Sequence, residues 1–303
     1  MSILLTGASG FIGSKFRNDN SVKRVVVRES DKARFWECER FVVNTINGKT
    51  SWIGAFEGID VIIHLAGLAH SKYFTWEDYY SINVEGTLNL AKQAALAGVR
   101  RFVFVSTIGV YGTNSYNVPF SLKSSLTPQT DYARSKLIAE TGLQKMSQEL
   151  GIEIVIVRPT LVYGCQAPGN FSLLKKLVEF SPILPFRSIK NKRDFISAEN
   201  LQDLLKCCAL HQNAKGNIFL ASEGETVSIN EFTNHIAKGL NRRSFQLSIP
   251  ISLFRLFGKL TGKVQLVEQL VGNLHVDNSN LKDTLGWVAP YTMKEIMQQL
   301  NKE

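Results

Sequence analysis

Tyr132 and Lys136 stand four residues apart in the stretch TDYARSKLIAE, among good helix formers. Residues at that spacing are neighbours on a helix, so a phenol and an ammonium can approach one another. Of the eight tyrosines in the chain, only Tyr132 has a lysine four places on. Such a pair could move a proton. A free phenol titrates near ~10 and acid–base work wants a value near ~7, a shift worth about 4 kcal/mol. An ammonium about 5 Å away contributes ~3 kcal/mol at an effective dielectric of about 20. The same spacing also fits a solvated helix face, so its meaning depends on what surrounds it.

Three further features surround it. TGASGFIG places Gly7, Gly10 and Gly13 directly after the first apolar run. That spacing suits a tight turn, close backbone approach to a pyrophosphate and a helix N-terminus aimed at its charge. A purely structural strand-to-helix turn would look the same. VVVRES ends the second run with Arg28, where an NAD-binding chain would carry an acid about twenty residues beyond Gly7. Arginine can pair with a 2′-phosphate, so NADP(H) is the preferred cofactor and NAD(H) the possible one; Glu29 follows immediately. RRFVFVSTIGVYG ends the fifth run with Ser106 and Thr107. Hydroxyls at the carboxyl end of a parallel strand face the crevice where such sheets bind ligands.

The elements that position these groups alternate. SILLTG, VKRVVV, FVVN, DVIIHLAG, RRFVFVS and IEIVIVRP are short β-rich runs, with the near-continuous hydrophobicity of parallel strands covered on both faces. Between them lie helical stretches, notably WEDYYSINVEGTLNLAKQAALAG and DYARSKLIAETGLQKMSQELG, ending near Gly98 and Gly151. The pattern predicts an α/β fold, a Rossmann-type doubly wound parallel sheet, with a smaller mixed α/β C-terminal domain. After about Gly164 the rhythm loosens and prolines appear at 168, 182 and 185. The expected domains are 1–165 for the dinucleotide and 166–303 for the substrate, with segments near 192–221 returning to the first. ISLFRLFGKLTGKVQLVEQLVG is apolar and basic; it reads as a domain-packing helix pair, with membrane-surface binding the alternative.

Composition narrows the classes. Lysine and arginine number 35 against 26 acidic residues, a formal charge of +9, which suits phosphorylated ligands. No basic run is long enough for a nucleic-acid tail, so no nucleic acid is expected. No 18-residue apolar run predicts a transmembrane span. MSILLTGASG lacks a basic n-region and reads as a buried strand rather than a signal peptide. Cys38, Cys165, Cys207 and Cys208 lack metal-ligand spacing and fit free thiols in a reducing cytoplasm. The five histidines form no HxxxH or HExxH pattern, so no metal is expected.

In order along the chain, TGASGFIG, HLAG, NVEGT, VSTIGVYG, YARSK, RPTLVYG and KRDFI make it resemble the extended short-chain dehydrogenase/reductases of the nucleotide-sugar epimerase/dehydratase family, over nearly its full length. The resemblance implies that Tyr132 is the catalytic acid/base, Lys136 its partner, and Thr107 the hydroxyl bonded to the reacting oxygen. It implies cofactor contacts from Gly7, Ser9, Gly10, Phe11, Ile12 and Gly13, from Leu65, Ala66 and Gly67, and from Asn83 and Ser106. Pro159 and Val162 match positions on the nicotinamide side. Asn170 and Arg193 match residues holding a nucleotide diphosphate; a helix cap and a surface ion pair are their plainer roles.

Three departures stand out. Gly67 replaces a frequent alanine, which would widen the substrate side. Thr45-Ile46 stand where an acidic residue often flanks the adenine. Ile108 and Gly109, not a glutamate, follow Thr107, which argues against dehydration. The later motifs, GNFSLLKKLVE through LHVDNSNLKDTLGW, resemble the branch serving bacterial O-antigen and capsule synthesis. The expected activity is an NADP-dependent oxidoreductase acting at C4 of a UDP-sugar, reducing a UDP-4-keto-6-deoxy-N-acetylhexosamine. The alternative is a UDP-hexose 4-epimerase holding NAD, and the third a non-catalytic NADP-binding protein. Family members commonly form homodimers through helices near 76–97 and 130–150; Leu88, Leu90, Leu96, Leu137, Ile138 and Leu143 give those helices more than one apolar face.

Overall fold

The structure, a computed structural model, describes residues 1–31, 36–69 and 73–301. Strands β1 (Ile3–Thr6), β2 (Val22–Arg28), β3 (Glu39–Val43), β4 (Val61–His64), β5 (Arg101–Val105) and β6 (Glu153–Pro159) form one sheet. A later strand, β10 (Ile218–Ala221), joins it in the order β10-β6-β5-β4-β1-β2-β3, and every pairing is parallel. Side chains alternate across the sheet with period two. Leu5, Ile63, Val103, Val105 and Val157 point to one face, and Leu4, Ile62, Phe102, Phe104 and Ile156 to the other. Both faces of the central strands are covered, which is why those runs are largely apolar, whereas the outer β2 and β3 expose Lys23, Glu39 and Arg40.

The second face is covered by helices α2 (Thr87–Leu96) and α3 (Asp131–Leu150). Before them come the short α1 (Trp76–Tyr79) and a π-helical stretch, Tyr80–Gly86. The first face is covered mostly from far along the chain. Leu201, Leu204, Leu205 and Cys208 of α5 (Ala198–Leu210) pack there with Leu281, Leu285 and Trp287. Arg101, buried at the start of β5, donates to the carbonyls of Cys208, Ala209 and His211 and pairs with Glu153.

The helix expected to open at the glycine loop does not form. A single 3-10 turn, Gly13–Phe16, stands in its place. The intervening residues NDNS favour turns: the Asp19 carboxylate accepts from the Ser21 backbone and hydroxyl and pairs with Lys206, fixing the chain for β2. The loop therefore offers backbone N–H groups without a full helix behind them.

Beyond β6, β7 (Leu161–Tyr163) and β9 (Arg193–Ser197) run parallel, with β11 (Thr226–Val227) antiparallel beside β9. A separate aromatic core forms around Tyr163, Phe171, Phe195 and Phe232, the last two stacked with centroids 3.9 Å apart. Helices α4 (Asn170–Phe180), α6 (Ile229–Gly239) and α10 (Met293–Met297) enclose it. A two-stranded sheet pairs β8 (Ile183–Leu184) with β12 (Phe245–Gln246). Helices α7 (Ile251–Leu260) and α8 (Val264–Val271) follow, then α9 (Ser279–Leu285). Of the apolar residues noted on α2 and α3, Leu90 and Leu143 are core, and Leu88 packs onto Gly142. Leu96 remains exposed.

One buried polar group makes the fold acid-sensitive. His64 accepts or donates to Thr6 Oγ1 through Nδ1 (2.7 Å) and to Thr87 Oγ1 through Nε2 (2.9 Å). Burial, aided by the charge of Lys136, drives its pKa down to about 3. The unfolded imidazole titrates near ~6.5. Between these values the unfolded chain binds the extra proton, so the contribution is complete above ~6.5 and lost as pH falls towards 3. The slope from this group reaches about 1.4 kcal/mol per pH unit. Urea titrations at pH 7 and pH 5 should show the loss, and His64→Gln should flatten it; an unchanged slope in that variant would assign the acid sensitivity to other groups.

Candidate active site

The site is assembled where the carboxyl ends of β1, β4 and β5 meet α3. Gly7 follows β1 with φ +71, and a Cβ there would lie 2.7 Å from the Ala66 backbone nitrogen. A Cβ at Gly13 would lie 2.1 Å from the Gly7 carbonyl oxygen. The loop folds onto itself, the Gly10 and Ser14 amides donating to the Gly7 and Gly10 carbonyls at 3.0 and 2.9 Å. Only glycine allows this closeness. Ser9 is half-buried and Gly10 exposed at the loop's rim. Ile12 packs into the sheet core, and Phe11 packs into the aromatic core of the second unit.

Loop 65–69 runs beside it. Leu65 packs on the sheet core, and the Ala66 amide donates to Thr6 Oγ1 at 3.1 Å. Asn83 secures the loop: its Oδ1 accepts from the Leu68 amide (2.8 Å), and its Nδ2 donates to the Leu68 carbonyl (3.1 Å) and Ser135 Oγ (3.0 Å). Gly67 does not widen the substrate side as its sequence suggested. A Cβ there would sit 2.9 Å from Asn83 Oδ1 and 3.5 Å from Lys136 Nζ, so the space belongs to those groups. The Thr45-Ile46 segment lies against the π-helical stretch, its Ile46 carbonyl 2.7 Å from where a Cβ at Gly86 would be.

Thr130 caps α3 by accepting from the Ala133 amide (3.2 Å), and Gly151 ends the helix in the left-handed conformation. The cap puts Tyr132 and Lys136 in the first two turns. Tyr132 is half-buried, its ring edge-on to Tyr79 at 6.3 Å, and Tyr79 donates to the Ala69 carbonyl. Burial, with a smaller effect of Tyr79, pushes the Tyr132 phenol up to about 12. Lys136 is buried and donates to the Val105 carbonyl at 2.9 Å, its ammonium 4.6 Å above the Phe104 ring. Burial brings it down to about 8, against the opposing influence of Glu140. The lysine's expected depression of the phenol is absent: the ammonium is turned to the Val105 carbonyl, and burial with Tyr79 sets the shift. The phenol is held in its proton-donating form.

Ser106 and Thr107 follow β5. Ser106 Oγ is buried and has no hydrogen-bond partner among the described residues. Thr107 is half-buried and its Oγ1 accepts from the Gly109 amide (3.1 Å). A Cβ at Gly109 would lie 3.3 Å from Thr107 Oγ1 and 3.5 Å from the Ala133 Cβ, so this turn packs on the start of α3. Pro159 is buried at the end of β6 and Val162 half-buried on β7.

The remaining positions stand on other elements. Arg28 is exposed at the end of β2. Asn170 is the exposed first residue of α4, with Gly169 rather than Asn170 at the cap. Arg193 is buried, its guanidinium donating to the carbonyls of Gln269 (2.6 Å) and Gly272 (3.1 Å) around the end of α8. Its Nε has no partner among the described residues. Burial, opposed by Asp194, brings it down to about 10.

Two features were missed in the sequence. The first is His64 with its two threonines. The second is a buried network behind Lys136: Glu140 receives two bonds from Arg158, one at 3.0 Å through Nε, and Arg158 also donates to the Tyr111 hydroxyl. Its signals were Glu140, four residues after Lys136, and an arginine inside the apolar run IVIVRP.

The glycine-rich loop at 7–13, its backbone turned close on itself with Phe11 and Ile12 packed into the cores, and the unpartnered Ser106 hydroxyl fit a dinucleotide. Together with the Tyr132/Lys136 pair they define a dinucleotide-dependent α/β enzyme. Residues 3–221 match the NAD dependent epimerase/dehydratase family, and the chain belongs to that family. It is 38% identical to the UDP-glucose 4-epimerase of Vibrio cholerae, covering 98% of this chain and 94% of that protein. The UDP-N-acetylglucosamine 4-epimerase of Bacillus cereus superposes with a TM-score of 0.78 at 20% identity, over 100% of this chain and 96% of that one. A short-chain dehydrogenase/reductase superfamily protein of Agrobacterium tumefaciens with bound NAD superposes with 0.77, also at 20% identity, over 100% and 96%.

Proposed function

We propose that the enzyme uses NADPH to reduce the C4 ketone of a UDP-4-keto-6-deoxy-N-acetylhexosamine destined for bacterial surface polysaccharide. The observation carrying this reading is Arg28, a cation exposed at the end of β2, where a carboxylate would repel a 2′-phosphate. When bound, the nicotinamide nucleotide supplies the reducing equivalent to C4. Tyr132 gives its phenolic proton to the C4 oxygen, and a phenol held near 12 is fully protonated for that task. Thr107 orients the same oxygen through its hydroxyl proton, its lone pair being engaged by the Gly109 amide. Gly7, Gly10, Gly13 and Ser106 hold the cofactor; Asn170 and Arg193 are the candidates for the diphosphate. The reading places the enzyme in the cytoplasm as a homodimer.

A 4-epimerisation of a UDP-hexose with retained NAD is the second reading, favoured by the relative from V. cholerae. There the phenol must act first as a base. Calorimetric titration separates the two. NADPH should bind more tightly than NADH by roughly 1.5–3 kcal/mol through charge-assisted bonds, and Arg28→Ala should remove most of the difference. Equal affinities, together with NAD released on denaturation and interconversion of UDP-glucose and UDP-galactose, would establish the epimerase instead.

A further inference from the structure

The second unit carries a surface that the active site does not use. Helix α7 packs inward through Ile251 and Phe254, and Gly258 lets it close on α8, a Cβ there falling 2.9 Å from Val267. The helix pair is therefore packed, and Arg255 bridges to Glu268 across it at 2.8 Å. Its outer face is nevertheless apolar. Leu253, Leu256, Phe257 and Leu260 recur at i, i+3, i+4 and i+7, forming one stripe along the helix. All are exposed, Phe257 by 62% and Leu260 by 79%, and Val264 and Leu266 of α8 add to them.

The charge of the segment that carries this stripe is one-sided up to Glu268, which is paired with Arg255. No acidic residue occurs from Phe232 to Val267, whereas Lys238, Arg242, Arg243, Arg255, Lys259 and Lys263 fall within that segment. Arg242, Arg243, Lys259 and Lys263 are exposed. Lys259 borders the stripe beside Leu260, and Lys263 lies in the turn that joins the two helices.

We propose that this face docks on an anionic phospholipid bilayer, the stripe entering the headgroup boundary while the flanking cations meet lipid phosphates. An apolar face with lysine and arginine at its borders is what an interfacial helix requires. A second copy of the chain fits poorly, because a two-fold contact through this patch would bring the same cations together. The docking is peripheral: no helix among the described residues is long and apolar enough to cross a membrane.

Sedimentation of the full chain with lipid vesicles tests this. Vesicles of phosphatidylcholine with about a quarter phosphatidylglycerol should bind the protein about tenfold or more tighter than pure phosphatidylcholine, and added salt should weaken the binding. The Leu256→Ser/Phe257→Ser variant should lose most of that binding while its cofactor affinity stays unchanged. Lys259→Gln/Lys263→Gln, a wholly surface change, should reduce the preference for anionic lipid. The proposal is overturned if the wild-type protein stays in the supernatant with anionic vesicles, or if both variants bind as it does. It is also overturned if light scattering shows the serine variant falling to a smaller oligomer, which would make the stripe an interface between copies.

Discussion

Tyr132→Phe should lower turnover by about 10²–10⁴-fold, the usual contribution of a positioned acid or base, and leave cofactor affinity nearly unchanged. Only the hydroxyl is lost, and the ring keeps its place against Tyr79. Lys136 and Thr107 are poor substitutes for the missing proton. Lys136 is turned to the Val105 carbonyl, and the Thr107 hydroxyl belongs to a group with no acidity near neutral pH. Lys136→Ala should damage binding as well as turnover, since it empties a buried position beneath loop 65–69. Single-turnover kinetics and a fluorescence titration of cofactor on the same preparations would separate the two effects. Retention of more than about a tenth of the wild-type rate by Tyr132→Phe, well above what loss of general acid catalysis allows, would remove the phenol from the mechanism.

The second large effect lies one helical turn further on. Glu140→Ala should destabilise the fold by about 3–5 kcal/mol, because Arg158 would keep a buried charge with no carboxylate to meet it. Both members of the pair are nearly inaccessible to water. Replacing them together, as Glu140→Met/Arg158→Met, should restore much of that loss, since two desolvated charges leave at once. Urea unfolding monitored by tryptophan fluorescence gives the comparison. The same carboxylate opposes the burial of Lys136, so the double variant should recover stability without recovering full turnover. Full recovery of both would confine the pair to a structural part.

The strands of the first sheet were readable because a parallel strand buried on both faces is apolar along most of its length, with His64, Arg101 and Arg158 as buried exceptions. Helix α3 was readable too, with Gly151 to stop it; Thr130 as its cap came from the structure. The turn after Gly13 was not, because the glycine spacing speaks for the loop and says nothing of how much helix follows; the decision came from Asp19 and its partners. The π-helical stretch that carries Asn83 kept the apolar periodicity of its neighbours and left no mark in the sequence. Leu90 and Leu143 looked like a second, partner-facing stripe but lie in the core, since the width of the apolar face depends on how the two helices cross. Glu140 carried no role in the sequence reading, since only the tertiary placement of Arg158 makes it a buried ion pair.

The dependence of the first sheet on late segments has a consequence for synthesis. A nascent chain that has emerged only as far as residue 165 holds six of the seven strands, yet lacks α5, β10 and Trp287. The face bearing Leu5, Ile63 and Val103 then stands open to water, β6 is an unpaired edge, and the Arg101 guanidinium lacks the carbonyls of Cys208, Ala209 and His211. Contacts so distant in sequence are slow to form, and open apolar sheets with free edges aggregate. The amino-terminal half is thus a poor autonomous folding unit. On the ribosome it must wait, or be shielded by a chaperone, until more than a hundred further residues have been made.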